Sequence, residues 1–165
     1  MAHGVSRTPT NTSLAAPGCG MVSAVFYQAK LTRENDYWLA EFPDCPGCQT
    51  FSTSEEGLLA MAKEALVGWL EVSLEYGDVP SAPRIRRGQN LMRVDLPTAL
   101  ALRLRLSIAR QAAGLTREEL AHRAGITLRQ LAKLERSGAT ASVATLAKVA
   151  DALGLVVDLR LEGAA

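Results

Sequence analysis

The chain has 165 residues, of which 48% are hydrophobic and 21% charged; these values indicate one folded domain of ordinary size or two small ones and exclude a largely disordered chain. The net charge is only +1, but residues 21–95 carry 7 Lys and Arg against 11 Asp and Glu (−4), whereas residues 96–165 carry 10 against 6 (+4). We therefore expect two partners of opposite charge, nucleic acid for the basic half and a basic protein for the acidic half, unless the acidic surface simply faces solvent.

Residues 1–22 are predicted to form a disordered tail, because they are rich in Thr, Ser, Pro and Gly. They lack the apolar stretch of a signal peptide, and the sequence has no apolar run of about twenty residues that would span a membrane. Met21 directly precedes the first strand-like run, so translation could start there. Three cysteines without a secretory signal favour free thiols and a cytoplasmic location.

Residues 23–95 are predicted to form a small α+β domain of the order β-β-β-α-β. A polar turn at 32–36 between two runs with aromatic and β-branched residues is typical of a hairpin, and the turn PDCPG precedes a third run. A segment with two prolines, 78–89, precedes the fourth. The four predicted strands are 24–31, 37–42, 48–53 and 90–96.

One long helix is predicted at 54–76, between the third and fourth strands. Thr53 and Glu56 have the spacing of a capping box, and Gly77 suits a helix C-cap. The predicted apolar stripe, able to cover one face of the sheet, consists of Leu59, Ala62, Leu66, Trp69 and Leu70.

Residues 96–165 are predicted to form an all-α domain centred on the sequence LTREELAHRAGITLRQLAKLERSG at 115–138. Two capping boxes, Thr116 with Glu119 and Thr127 with Gln130, set the starts of two short helices, and Gly125 suits the sharp turn between them. One apolar face is predicted for Leu120, Ala121, Ala124, Ile126, Leu131 and Leu134.

The second of these helices turns its long polar side chains away from the core. Leu128, Arg129, Gln130 and Lys133 lie on that outer face, which is a pattern that the major groove of DNA accepts. A helical module that binds protein through a basic face is the alternative.

This region resembles the helix-turn-helix domain of phage repressors, Cro proteins and the XRE family. The resemblance covers about 103–153 and implies five short helices, of which the second and third bind DNA. It places Thr127, Leu128, Arg129, Gln130 and Lys133 at bases or adjacent phosphates, and Arg117 at the DNA backbone. Leu128 departs from the usual polar residue there, so its contact would be apolar. Arg136 completes the predicted DNA-binding set, and Arg110 with Glu135 is implied as an internal ion pair.

The amino-terminal half resembles the HicB antitoxin family. The likeness rests on Tyr27, FPDCPGC at 42–48, TSEE at 53–56, AKEAL at 62–66 and the prolines at 80 and 83. It implies a reduced ribonuclease H-like fold that binds a small basic, messenger-RNA-cleaving toxin of the HicA type. The order of the two halves also matches that family, in which a DNA-binding segment follows the toxin-binding domain.

We expect no enzymatic activity, no catalytic residues, no cofactor and no metal site. Asp36, Glu41 and Asp44 are acids near the sheet, but their spacing does not bring them together around metal ions, so solvated carboxylates are the better interpretation. Cys45 and Cys48 form a CxxC pair in a turn between strands, where small apolar side chains are expected rather than a redox or zinc site.

The last run, 155–161, follows a predicted helix at 142–153 and has the pattern of a strand without a partner in a helical domain. Pairing with a second chain or with the amino-terminal sheet would give a dimer or tetramer. The predicted function is an antitoxin that neutralises its toxin and represses its own operon at operator DNA. The alternative is a stand-alone transcriptional regulator with an amino-terminal domain that senses a ligand or protein.

Overall fold

The fold is known from a computed structural model that describes residues 25–135 and 142–156. The described residues form one sheet of four strands and five helices. In chain order these elements are β1 (Phe26–Glu34), β2 (Tyr37–Glu41), β3 (Gln49–Ser52), α1 (Glu55–Tyr76), β4 (Leu91–Asp95), α2 (Thr98–Ala112), α3 (Arg117–Arg123), α4 (Leu128–Glu135) and α5 (Val143–Ala152). The predicted α+β class is confirmed, with the strands and α1 first and the helices after them.

The sheet is antiparallel throughout and has the order β3-β2-β1-β4. The hairpin turn is shorter than predicted, because β1 continues through Glu34, which pairs with Tyr37. Only two residues remain between the strands, and Asn35 has a φ of 52°, as tight hairpin turns require. The predicted turn at 32–36 was therefore too long.

Helix α1 covers one face of the sheet, but its cap and its buried side differ from the prediction. Ser54, not Thr53, is the N-cap and accepts from the N–H of Gly57. Leu58 is buried whereas Leu59 is exposed. The buried stripe is Leu58, Ala62, Leu66, Leu70 and Leu74. Gly77 ends the helix at a φ of 84°, which confirms the predicted C-cap.

The proline-containing segment between α1 and β4 is docked on the sheet and α1, which we call the sheet domain together with this segment. The Tyr27 hydroxyl donates to the carbonyl of Ser81 over 3.1 Å, and Gln28 exchanges hydrogen bonds with the backbone of Arg86. The Asp44 carboxylate accepts hydrogen bonds from the two terminal guanidinium nitrogens of Arg86, at 2.6 and 2.7 Å. It also accepts one from the backbone N–H of Arg84, at 3.0 Å. The segment is therefore part of the folded domain.

Asp44 is buried, so its interpretation as a solvated carboxylate was wrong. The hydrogen bonds from the Arg86 side chain lower the pKa of Asp44. The Asp44 carboxylate is paired with Arg86, and this pair holds the proline-containing segment in place.

Helix α2 contributes to both hydrophobic cores of the chain. Leu100, Ala101 and Leu104 pack into the core beneath the sheet, which also contains the buried stripe of α1. Leu106 on the same helix packs into the core formed by α3, α4 and α5. The predicted division at residues 95 and 96 stays a prediction, but the two parts share this helix.

Some predictions lie wholly or mostly outside the described residues. They are the tail at 1–22, the strand at 155–161 and the placement of Arg136. Of the helices in the described part of the chain, none is both long and apolar enough to cross a membrane.

Candidate nucleic-acid interface

Both predicted capping boxes are present at the starts of α3 and α4. Thr116 Oγ1 accepts from the N–H of Glu119 at 3.1 Å, and the Glu119 carboxylate accepts from the N–H of Thr116 at 2.8 Å. These hydrogen bonds to Thr116 lower the pKa of Glu119. Thr127 and Gln130 make the same reciprocal bonds at 3.2 and 2.8 Å. The two helix starts are thus fixed by local bonds.

The turn between α3 and α4 is built around Gly125, whose φ is 61°. Its N–H donates to the carbonyl of His122, and the N–H of Ile126 donates to the carbonyl of Ala121. A residue with a Cβ would be strained at that φ although there is open space around it. The sharp change of direction that separates the helices therefore depends on this glycine.

The predicted apolar face of the two helices forms the second core. Leu120, Ala121, Ala124, Leu131 and Leu134 are buried there, with Ile126 partly buried against them. Leu146 and Val149 of α5 pack into the same cluster. This burial determines which side of α4 faces away from the protein.

The outer side of α4 brings the predicted DNA-binding residues together. Thr127, Leu128, Arg129, Gln130 and Lys133 are all exposed. The side-chain oxygen of Gln130 is used in the capping box, so its amide nitrogen is left as a hydrogen-bond donor. The surface therefore offers two cations, one amide donor and the apolar side chain of Leu128.

The C-terminal end of α4 is fixed by three arginines at Glu135. The Glu135 side chain is only 6% exposed; Arg117 Nε lies 2.5 Å and Arg110 Nε 3.4 Å from its two oxygens. The implied ion pair of Arg110 and Glu135 is present. Arg117, which was assigned to the DNA backbone, has its Nε bonded to Glu135, so a phosphate contact from its other nitrogens stays a prediction.

Sequence reasoning missed the third arginine, Arg103, which is 6% exposed. Its Nε donates to the backbone carbonyl of Glu135 over 2.6 Å, which satisfies an acceptor in the last turn of α4. Burial lowers the pKa of Arg103, while Glu71 and Glu75 of α1 oppose that effect. The signal was present, because Leu100, Arg103, Leu104 and Ser107 have the spacing of a buried helix face.

The remaining candidates lie away from this surface. Cys45 and Cys48 are buried, and burial raises their thiol pKa to about 12 and about 11, which is opposite to the change expected of a redox pair. The small apolar role predicted for Cys48 fits this environment. Within residues 25–135 and 142–156, no three His, Cys, Asp or Glu side chains come close enough to hold a metal ion.

The capped pair α3 and α4, with a glycine turn and an exposed polar face, defines a helix-turn-helix domain. Residues 106–158 match the family described as helix-turn-helix, of the XRE type. The chain is also similar to "Antitoxin HicB 1" of Photorhabdus laumondii subsp. laumondii, at 28% identity over 130 residues that cover 78% of this chain and 81% of that protein. The chain is thus similar to the helix-turn-helix family over its carboxy-terminal part and to a HicB antitoxin over most of its length.

Proposed function

We propose that this protein is an antitoxin that also represses its own operon. The observation that carries the proposal is the exposed face of α4, with Arg129, Gln130 and Lys133 on one side of a helix whose other side is buried. The similarity to a HicB antitoxin supports the second activity, which is neutralisation of a small basic toxin that cleaves messenger RNA.

In the proposed DNA complex, the first turns of α4 enter the major groove of the operator. Arg129 and Lys133 lie four residues apart, so their side chains are neighbours on the same face of the helix. Each can therefore reach a guanine edge or a nearby phosphate. Leu128 supplies an apolar contact of the kind that a thymine methyl makes. One such unit reads only a few base pairs, so the protein is expected to act as a dimer or tetramer on two half-sites.

The proposed toxin-binding activity belongs to the sheet domain. That part of the chain carries the net negative charge, which favours association with a basic protein. Because the proposed DNA-binding residues lie on α4, the two proposed activities use separate surfaces. Replacing residues on one surface is therefore expected to leave the other activity intact.

A mobility shift with the promoter of the gene tests the DNA-binding part. Replacing Arg129 and Lys133 with Ala is expected to cost about 1–3 kcal/mol per lost base contact, which is about 5- to 150-fold in Kd for each. Lys148→Ala is the matched control, since it removes an exposed cation from α5. The proposal predicts that toxin binding survives the double change. Equal promoter affinity of the double variant and the wild type would refute the assignment of α4.

The second candidate is a stand-alone regulator whose amino-terminal domain senses a ligand. The place where such a ligand would bind is an open cleft of about 450 Å³, with Trp69, Asp78 and Gln111 among the lining residues. Co-expression with a small basic reading frame next to the gene separates the two candidates. Co-purification of its product supports the antitoxin; promoter binding without any such partner supports the stand-alone regulator.

A further inference from the structure

Helix α1 carries an apolar stripe on the side opposite its buried stripe. Met61, Val72 and Tyr76 are 45%, 54% and 81% exposed, and Gly68 lies between them. Their spacings of seven, four and four residues place them on one side of a helix with 3.6 residues per turn. An outer helix face is normally polar, so a line of large apolar side chains there indicates a surface that binds something.

Gly68 leaves room for close approach at the middle of this stripe. A Cβ added there would meet no atom of the described structure within 4 Å. Glycine inside a helix costs about 1 kcal/mol relative to alanine, and neither a turn nor internal packing explains it at this position. The space beside the helix backbone is therefore open to a side chain from another molecule.

A row of acids runs beside the stripe. Glu64 and Glu75 are exposed, and Glu71 lies between them, where it favours the charged form of Arg103. The row determines which partner fits. Two copies of α1 could also pair antiparallel, crossing near Gly68. The two-fold symmetry of such a pair would place Glu64 of one copy beside Glu71 of the second copy. Like charges at that position oppose self-association.

We infer that this face of α1 is the docking surface for the basic toxin. The inference rests on the proposed function and goes beyond it by naming the surface. The partner would lay an apolar ridge along Met61, Val72 and Tyr76, with one of its side chains over Gly68. Lysines or arginines beside that ridge would meet Glu64 and Glu75, so charge and apolar contact act together.

Gly68→Gln is the decisive substitution. It fills the open space at the centre of the stripe, and it should not weaken the free protein because glutamine has the higher helix propensity. Lys63→Gln is the matched control, since it places the same side chain on an exposed position of α1, about 140° around the helix from Gly68. Equal or higher melting temperature and unchanged promoter binding verify that both variants are folded.

The measurement is the Kd for the purified product of the small basic reading frame next to the gene, by calorimetry, for the full chain. We expect Gly68→Gln to weaken binding about tenfold or more and Lys63→Gln to leave it unchanged. We also expect Glu64→Lys with Glu75→Lys to weaken binding and reduce its salt dependence.

Three outcomes would overturn the inference, and they differ in what they say about the proposed function. If the wild type binds and Gly68→Gln binds equally well, the toxin docks elsewhere and the antitoxin function stands. If Gly68→Gln instead abolishes self-association in sedimentation, a second copy occupies the stripe. If the wild type does not bind this product at all, the antitoxin function itself fails.

Discussion

Replacing Glu135 with Gln is the sharpest test of what holds the proposed recognition helix α4 in place. The carboxylate is 6% exposed and faces Arg110, whose side chain is 11% exposed, and Arg117, whose side chain is 39% exposed. Removing its charge leaves two guanidinium groups close together with no anion between them. Breaking a buried ion pair costs about 3–5 kcal/mol.

The expected cost here is lower, for two reasons. Solvent screens the half-exposed Arg117, and the Gln oxygen can still accept one hydrogen bond. The bond from Arg103 also survives, because its acceptor is the backbone carbonyl. We therefore expect the free energy of unfolding to fall by about 2–4 kcal/mol, which corresponds to a fall of about 5–15 °C in Tm for a chain of this size.

Urea unfolding measures the change with two independent signals. Far-ultraviolet circular dichroism reports the helices, whereas tryptophan fluorescence reports the surroundings of Trp38 in β2 and Trp69 in α1. Glu118→Gln is the control, because it removes an exposed acid from α3 and should cost about 0.5 kcal/mol or less. If Glu135→Gln is no more destabilising than this control, the arginine cluster contributes no net stability and our reasoning is wrong.

Two further predictions concern the sheet domain. Asp44→Asn should cost about 1.5–3 kcal/mol, because hydrogen bonds to charged groups are lost. The Arg86 side chain lowers the pKa of Asp44 in the folded state, so this contribution is complete above the unfolded pKa of about 3.9 and disappears as the pH falls through the lower folded value. Unfolding measured across that acid range should show the loss in the wild type and not in Asp44→Asn. Burial raises the thiol pKa of Cys45 and Cys48 to about 12 and about 11, so in a Cys19→Ser background neither thiol should react with Ellman's reagent near pH 8 until urea unfolds the protein. Rapid labelling of the native protein would contradict their burial.

The helix-turn-helix was predictable from the sequence because its determinants are local. Each capping box joins residues three apart, and the turn depends on one glycine at a positive φ. Such bonds are determined by short stretches of chain, so residue type and spacing are enough to identify them. The outer face of α4 follows from the same pattern, because the buried positions leave only one side for the polar residues.

The contacts that the sequence did not reveal join distant residues. Asp44 is paired with Arg86, 42 residues later, and nothing in the spacing of the acids indicates that partner. Arg103 and Glu135 are 32 residues apart. The choice between the adjacent Leu58 and Leu59 likewise depends on how α1 lies on the sheet, which periodicity alone does not determine.

The sharing of α2 between two cores has a consequence for dissecting the protein. A fragment that stops after β4 would lose Leu100 and Leu104, whose burial beneath the sheet is worth about 1.5–3 kcal/mol each. That sum is a large part of the total stability of about 5–15 kcal/mol typical of a domain. Proteolysis or shortening of the gene between β4 and α2 would therefore damage the sheet domain as well as remove the helices. Point substitutions, rather than shortened chains, are the reliable way to separate the two activities.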